Sequence, residues 1–93
     1  MFKINEYFGG KVTSISFTTS QGPATVGVMA VGEYEFGTST VEVMTVTSGK
    51  LSAMLPDAAK WTDYNPGQSF TIAANQKFKV KADEESSYLC LFR

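Results

Sequence analysis

Apolar and polar residues alternate with a period of two along most of this chain, which is the pattern of β-strands with one buried face. Over Lys77–Ala82, for example, lysines alternate with Phe78, Val80 and Ala82. No long segment keeps the 3.6-residue apolar period of an amphipathic helix. The pattern predicts strands at Lys11–Phe17, Ala24–Val31, two within Gly32–Gly49, Leu51–Leu55, Trp61–Tyr64, Ser69–Ala73, Lys77–Ala82 and Ser87–Arg93.

Turn signals rich in glycine, proline and small polar residues separate these strands. They fall at Thr18–Pro23, Ser48–Lys50, Asn65–Gly67 and Asp83–Ser86. We expect Asn5–Gly10 to be a lead-in segment and Pro56–Lys60 to contain one helical turn. Short strands with a turn signal about every 8–12 residues predict an all-β barrel or sandwich, in a single domain that spans residues 1–93.

The amount of apolar surface excludes a disordered chain. Hydrophobic residues make up 43% of the 93 positions and charged residues 18%, so burial can offset the entropy lost on ordering. A chain of this length buries only about 60–65% of its extended-chain surface on folding and is marginally stable alone. We therefore expect a homodimer.

The charge pattern gives no sign of a nucleic-acid partner. The formal net charge is −1, and the basic run of Lys77, Lys79 and Lys81 is the outer face of a strand rather than a phosphate-binding patch. No stretch approaches the length of a membrane span, and Met1–Glu6 lacks an uninterrupted apolar region. The sequence predicts a cytoplasmic protein with no membrane partner.

The chain has one cysteine and no histidine. Cys90 lies in the apolar run Tyr88–Phe92, where no basic cluster would lower its pKa, so we expect a small buried hydrophobe rather than a nucleophile. Any acid or hydrogen-bond assistance to a reaction must come from a carboxyl, a hydroxyl, a backbone amide or water.

The spacing from Glu42 to Gly49, E-x6-G, resembles the second half of the first cupin motif, G-x5-H-x-H-x3–4-E-x6-G. With three residues before Glu42, Phe36 and Thr38 stand where metal cupins have two histidines, and with four residues Glu35 and Gly37 do; we prefer the first register because of strand parity. The second motif, G-x5-P-x-G-x2-H-x3-N, can be started at Gly67, which puts Phe78 at the third histidine position. A single carboxylate among aromatic residues is a poor metal site, so the sequence predicts a metal-free cupin-type, jelly-roll-like β-barrel.

Strand parity in this register assigns side chains to the two faces. It directs Phe36, Thr38 and Glu42 into the barrel together with Met44 and Val46, and it leaves Glu33 and Glu35 facing water. In the second motif Asn75 takes the place of a glycine, which is acceptable because asparagine tolerates the left-handed conformation.

The chain as a whole resembles the small bacterial pyrimidine/purine nucleoside phosphorylases. The matching segments are Asn5–Phe8, Gly10–Val12, Val26–Met29, Gly32–Tyr34 with Phe36 and Thr38, Glu42 with Met44, Ser48-Gly49, Leu55-Pro56 and Tyr88–Cys90. The resemblance implies a homodimeric cupin without metal or other cofactor. It also implies that purine and pyrimidine nucleosides react with inorganic phosphate to give free base and pentose 1-phosphate.

For that reaction we expect Glu42 and Thr38 to be catalytic. A desolvated Glu42 would bond the ribose hydroxyls and support the developing sugar cation, or alternatively would only pack at the barrel mouth. Thr38 and Ser39 lie in Gly37–Thr40, which either cradles phosphate or is an ordinary β-turn. Arg93 is either a phosphate anchor or a frayed end.

Aromatic residues are the expected binding surface for the base, since every base has a π-face that can stack. The candidates are Tyr34, Phe36, Phe78 and Tyr88, with Met44 beside them, and for each of them plain core packing is the alternative. Two non-enzymatic classes also stay open. One is a metal-free cupin that binds a small molecule as a sensor, and the other is a structural homodimer whose barrel is filled.

Overall fold

Ten strands and no α-helix make up the chain in a computed structural model, which describes all residues from Met1 to Arg93. The strands are β1 Lys3–Tyr7, β2 Val12–Thr19, β3 Gly22–Met29, β4 Gly32–Gly37, β5 Glu42–Ser48, β6 Leu51–Met54, β7 Thr62–Tyr64, β8 Ser69–Ile72, β9 Lys77–Ala82 and β10 Ser86–Phe92. The all-β class predicted from the alternation is confirmed.

The strands form two antiparallel sheets. The larger has the order β1-β2-β3-β10-β5-β8, and the smaller has the order β4-β9-β6-β7. No strand ladder joins the two sheets, so the barrel is not closed by hydrogen bonds. Strand β10 lies in the middle of the larger sheet, where Tyr88 pairs with Gly27 of β3 on one side and with Val46 of β5 on the other.

The hydrophobic core is shared by the two sheets. One cluster of 14 buried residues draws Met29, Met44 and Tyr88 from the larger sheet and Leu51 and Val80 from the smaller. Met29, Leu51 and Val80 are completely buried. Burial of each such side chain contributes about 1.5–3 kcal/mol, so this layer of apolar contacts holds the sheets face to face.

The parity predicted for β4 and β5 is confirmed. Tyr34 and Thr38 are buried while Glu33 and Glu35 are exposed, and Met44 and Val46 are buried on the next strand. Glu33 and Glu35 lie opposite Lys81 and Lys79 of β9, so the outer face of the smaller sheet carries charges of opposite sign on neighbouring strands.

The lead-in predicted at Asn5–Gly10 is wrong for its first part, because Lys3–Tyr7 is edge strand β1, paired with β2. The Asn5 side-chain amide donates to the hydroxyls of Ser14 at 3.2 Å and Ser16 at 2.9 Å, which fixes the edge strand through its side chain as well as its backbone. A single 3-10 turn at Phe8–Gly10 follows, and the helical turn expected at Pro56–Lys60 is absent.

Two turn residues of the cupin-like motifs adopt the backbone expected of them. Asn75 has φ 61°, the left-handed conformation predicted for it. Gly49 has φ 77°, and a Cβ there would collide with Ser86. The Ser86 hydroxyl accepts from the Lys50 amide and donates to the Lys50 carbonyl, each at 3.0 Å, so the turn after β5 has no room for a side chain.

Candidate functional site

A cavity of about 340 Å³ opens between the two sheets. Its size is at the lower end of the range of about 300–1,000 Å³ that is usual for small-molecule sites. Six of its 14 lining residues are aromatic, namely Tyr7, Phe8, Phe36, Phe78, Tyr88 and Phe92. Besides the hydroxyls of Tyr7 and Tyr88, the polar or ionisable side chains in its wall are Ser14, Thr25, Glu35, Glu42 and Cys90.

Glu42 reaches this cavity from the first position of β5, where it pairs with Phe92 of β10. Its side chain is half-buried, and the Cys90 thiol donates a hydrogen bond to its Oε1 atom at 3.5 Å. Burial raises the pKa of the Glu42 carboxyl above its ordinary value of 4.5, and the Cys90 thiol partly opposes the rise. Glu42 is therefore a carboxyl group in a mostly apolar site with one fixed donor.

Cys90 is buried, as predicted, but it is also a donor in the cavity wall, which the sequence did not indicate. Burial, with the nearby Glu42 carboxylate, raises the pKa of its thiol far above the normal range. The thiol therefore stays protonated at neutral pH and donates to Glu42 rather than acting as a nucleophile. The alternation Tyr88, Cys90, Phe92 along β10 was the available signal, because it places all three side chains on one face.

A second polar wall lies on the side of β1, β2 and β3. Burial raises the pKa of Tyr88 to about 12, with smaller contributions from neighbouring ionisable groups and an opposing one from the Ser14 hydroxyl. The Tyr88 phenol is therefore a permanent hydrogen-bond donor at physiological pH. Ser14 is buried and accepts a bond from Asn5, so the edge strand orients the hydroxyls of this wall.

The aromatic surface is centred on Phe36 of β4. Its ring lies 5.8 Å from Phe78, 5.6 Å from Phe8 and 6.2 Å from Tyr7, measured between ring centroids. The contacts with Phe8 and Tyr7 are edge-on, a favoured geometry for aromatic pairs. Phe8 has φ 55°, which is uncommon for a bulky residue, so the 3-10 turn presents this ring to the cavity at a cost in backbone strain.

Five of the predicted site residues line the cavity together. They are Phe36, Glu42, Met44, Phe78 and Tyr88. Tyr34 does not line it. The Tyr34 hydroxyl donates to the Ala30 carbonyl at 2.8 Å and its ring packs 5.0 Å from that of Phe8, so it supports the aromatic surface from behind.

Thr38 and Ser39 also lie outside the cavity lining. The Thr38 hydroxyl donates to the Ala73 carbonyl at 2.7 Å and accepts from the Gln76 amide at 3.0 Å. The Thr38 amide donates to the Gln76 carbonyl at 2.9 Å, and its carbonyl accepts from the Asn75 amide at 3.0 Å. The hydroxyl, amide and carbonyl of Thr38 are thus all bonded to the β8–β9 connection. Ser39 is exposed, and neither hydroxyl lines the cavity.

Sequence reasoning missed several residues of the site, namely Tyr7, Phe8, Ser14, Thr25, Met29, Cys90 and Phe92. The Gly-Gly pair that follows Tyr7 and Phe8 indicated a loop, so these two aromatic residues were not expected in a binding site. Glu35 was expected to face water, and it is exposed, yet it stands at the cavity mouth. The backbone amide of Arg93 donates to the Val41 carbonyl at 2.8 Å, which fixes the backbone at this position, while its side chain is exposed.

No three histidine, cysteine, aspartate or glutamate side chains come together in a way that could hold a metal ion. None of the elements is a helix of the length and apolarity that crossing a membrane requires. No lysine or arginine side chain lines the cavity, so its charged groups are the two carboxyls of Glu35 and Glu42.

Comparison with solved structures places the fold among known ones. A protein of unknown function from Vibrio parahaemolyticus superimposes with a TM-score of 0.93 at 40% identity, over 97% of this chain and 96% of that one. The structure of Fe(II) HppE superimposes with a TM-score of 0.82 at 10% identity, over 99% of this chain and 56% of that chain. The second likeness concerns the fold alone, and it confirms the predicted cupin-type architecture.

Comparison of sequences identifies the family. The sequence profile described as pyrimidine/purine nucleoside phosphorylase matches residues 2–92. Pyrimidine/purine nucleoside phosphorylase 2 of Psychrobacter cryohalolentis is 56% identical over 92 residues, which are 99% of this chain and 98% of that protein. The Pseudomonas aeruginosa protein called pyrimidine/purine nucleoside phosphorylase is 53% identical over the full length of both chains. The chain belongs to the pyrimidine/purine nucleoside phosphorylase family.

Proposed function

We propose that this protein cleaves purine and pyrimidine nucleosides with inorganic phosphate, giving free base and pentose 1-phosphate. Family membership supports the class of substrate, and one structural observation carries the chemistry. That observation is the half-buried Glu42 carboxyl, which faces an aromatic cavity large enough for a small molecule. Nucleosides and phosphate are metabolites of the cytoplasm, so we propose that location for the enzyme.

In this reaction a phosphate oxygen forms a bond to the anomeric carbon while the bond from that carbon to the base nitrogen breaks. The bonding electrons leave with the base, which takes up a proton, and the sugar carries positive charge in the transition state. A carboxylate held near the ribose stabilises that charge more than it stabilises the neutral substrate, which is what lowers the barrier. Glu42 is the cavity carboxyl that a neighbouring donor holds in a fixed orientation.

The aromatic surface suits the base. Phe36 and Phe78 present rings to the cavity, and stacking on a ring does not depend on the pattern of donors and acceptors of the base. A site that relies on stacking for this part of the substrate accepts both purines and pyrimidines. The broad specificity implied by the family name has a physical basis in this surface.

No cationic side chain lines this cavity, so we propose that hydroxyls in its wall bind the phosphate. We assign the task to the hydroxyls of Ser14 and Thr25, with the Tyr88 ring beside them facing the base, and we assign no role in phosphate binding to Thr38 or Ser39. With two carboxyls nearby, the monoanionic form of phosphate is favoured over the dianion, since it carries less charge and can donate to Glu42.

The same absence of a cation favours a second function, a non-catalytic module that binds a neutral small molecule in the aromatic cavity. The two functions differ in turnover.

To distinguish them, purified protein is incubated with uridine or adenosine, with and without inorganic phosphate, and free base and pentose 1-phosphate are measured. Phosphorolysis predicts base release that requires phosphate and an equal amount of pentose 1-phosphate. Equal release without phosphate would indicate a hydrolase, and binding without release would indicate the module.

We also propose that the protein is a homodimer, as expected from its small size. A row of outward-facing apolar side chains on the larger sheet supports this proposal. Ile4 of β1, Ile15 of β2 and Val26 of β3 are neighbours in register, and all three are exposed. A contiguous apolar surface of this kind on a small domain is typical of a protein–protein contact.

A further inference from the structure

Ser14, Gly27 and Tyr88 lie side by side across the larger sheet. Gly27 pairs with Ser14 of β2 and with Tyr88 of β10, so the three form one row. The residues two positions before and after Gly27, Thr25 and Met29, both line the cavity. Since side chains alternate along a strand, a side chain at position 27 would also point towards the cavity.

The ring of Tyr88 occupies the space that such a side chain would take. A Cβ atom built on Gly27 would lie 2.6 Å from both Cζ and Oη of Tyr88 and 2.8 Å from its Cε1 atom. Gly27 does not have a positive φ, unlike Gly22 earlier in the same strand. The backbone conformation would therefore accept any residue, and only the close approach of the tyrosine ring requires glycine.

The position of the ring decides where its hydroxyl lies. By crossing Gly27, the Tyr88 side chain extends from β10 over β3 towards Ser14 of β2, and its phenol forms part of the polar wall. The outer end of the ring, with Cε1, Cζ and Oη, lies against β3 at Gly27, and the space on its other side belongs to the cavity that Tyr88 lines. A ring raised from the strand would fill that space.

We propose that Gly27 determines the range of bases that the site accepts, because it lets the Tyr88 ring lie close against β3 and so sets the depth of the cavity. This inference rests on the proposed phosphorolysis. In Gly27→Ala the outer end of the Tyr88 ring must move away from β3 by roughly 0.8 Å to reach ordinary contact at 3.4 Å, which takes space from the cavity that Tyr88 lines. A purine has one fused ring more than a pyrimidine, so purine nucleosides lose more binding than pyrimidine nucleosides.

The test compares adenosine with uridine in the wild type and in Gly27→Ala, by kcat and KM for each and by calorimetric Kd. We expect the adenosine KM and Kd to rise by roughly tenfold or more relative to those of uridine, the usual effect of excluding about one methylene-sized volume. The matched control is Val28→Ala, on the outward face of the same strand. It should leave the adenosine to uridine ratios of KM and Kd unchanged. A Gly27→Ala protein with the wild-type ratio would overturn the proposal.

Two tyrosine variants separate this effect from general damage to the strand. Gly27→Ala combined with Tyr88→Leu should bring the adenosine to uridine ratios of KM and Kd back to the wild-type values or below them, because the displaced ring is gone. Ratios that stay as high in the double variant as in Gly27→Ala contradict the inference. Should Gly27→Ala fail to fold, Tyr88→Leu alone tests the inference. It should lower the adenosine to uridine ratios of KM and Kd by deepening the cavity, and unchanged ratios then count against the inference. Absence of turnover in the wild type refutes the proposed function, and the Kd ratios then decide the inference separately.

Discussion

Strand parity, motif spacing and cavity geometry all select Glu42 as the functional carboxyl of the cavity. If its carboxylate stabilises the developing sugar cation, Glu42→Gln keeps the shape and removes the charge. We expect kcat to fall by about 10²–10³, the usual effect of losing one preorganised electrostatic contact, with a smaller effect on KM. Glu33→Gln, on the outer face of β4, is the control and should retain wild-type kcat. A Glu42→Gln protein with near-normal kcat would mean that its carboxyl serves only packing.

The raised pKa of Glu42 also gives a prediction about stability. The folded state binds the carboxyl proton more tightly than the unfolded state, so this group favours folding most at low pH. Its contribution is lost as the pH rises from about 4.5 through the folded pKa, because the half-buried group must then ionise. The thermal midpoint of the wild type should therefore fall relative to that of Glu42→Gln over this interval. A constant difference between the two across pH would contradict the burial argument.

Sequence reasoning succeeded for residues whose role depends on strand parity and failed where a role depends on a partner distant in sequence. Phe36, Glu42 and Met44 could be assigned to the inside because side chains alternate regularly along a strand. The bond from Cys90 to Glu42 could not be foreseen, since it requires knowing that β10 lies next to β5. Gly27 gave no signal either, because its importance arises from a ring on another strand.

At the scale of elements, the turn between β4 and β5 has a different role from the one its composition suggested. Thr38 joins this turn to the β8–β9 connection through side-chain and backbone hydrogen bonds. Hydroxyl-rich turns can bind phosphate, but they also bond to backbone, and composition alone does not distinguish the two. The structure favours the backbone role for this turn.

A substitution of Thr38 tests that role. Thr38→Val keeps the shape and removes the hydroxyl, which leaves the Ala73 carbonyl and the Gln76 amide without this partner. We expect a loss of about 1–2 kcal/mol in the free energy of unfolding and little change in kcat at a temperature where the variant is folded. Ser39→Ala, at the exposed neighbour, should change neither quantity. A stable but inactive Thr38→Val protein would restore Thr38 as a catalytic candidate.

At the scale of the whole molecule, the apolar row on the larger sheet predicts how copies associate. Ile15 lies in the middle of this row, between Ile4 and Val26. Ile15→Lys should convert the proposed dimer into a monomer at micromolar concentration, because it would place a charge at the centre of the proposed contact. Light scattering coupled to size-exclusion chromatography measures this, with Thr71→Lys on an exposed position of β8 as control. A dimer that persists in Ile15→Lys would place the interface elsewhere.

Strand β10 is the last to be synthesised, although it lies in the middle of the larger sheet. Strands β1, β2 and β3 form one half of the larger sheet and β5 with β8 the other, and β10 alone joins them. Because synthesis proceeds from the amino end, both halves leave the ribosome before the strand that pairs with them. The edges of β3 and β5 remain without a partner during that interval, and the cavity wall carrying Tyr88 and Cys90 does not yet exist. The nascent chain therefore acquires its binding site only in a late, non-local step of folding, which in proteins of this topology is slow.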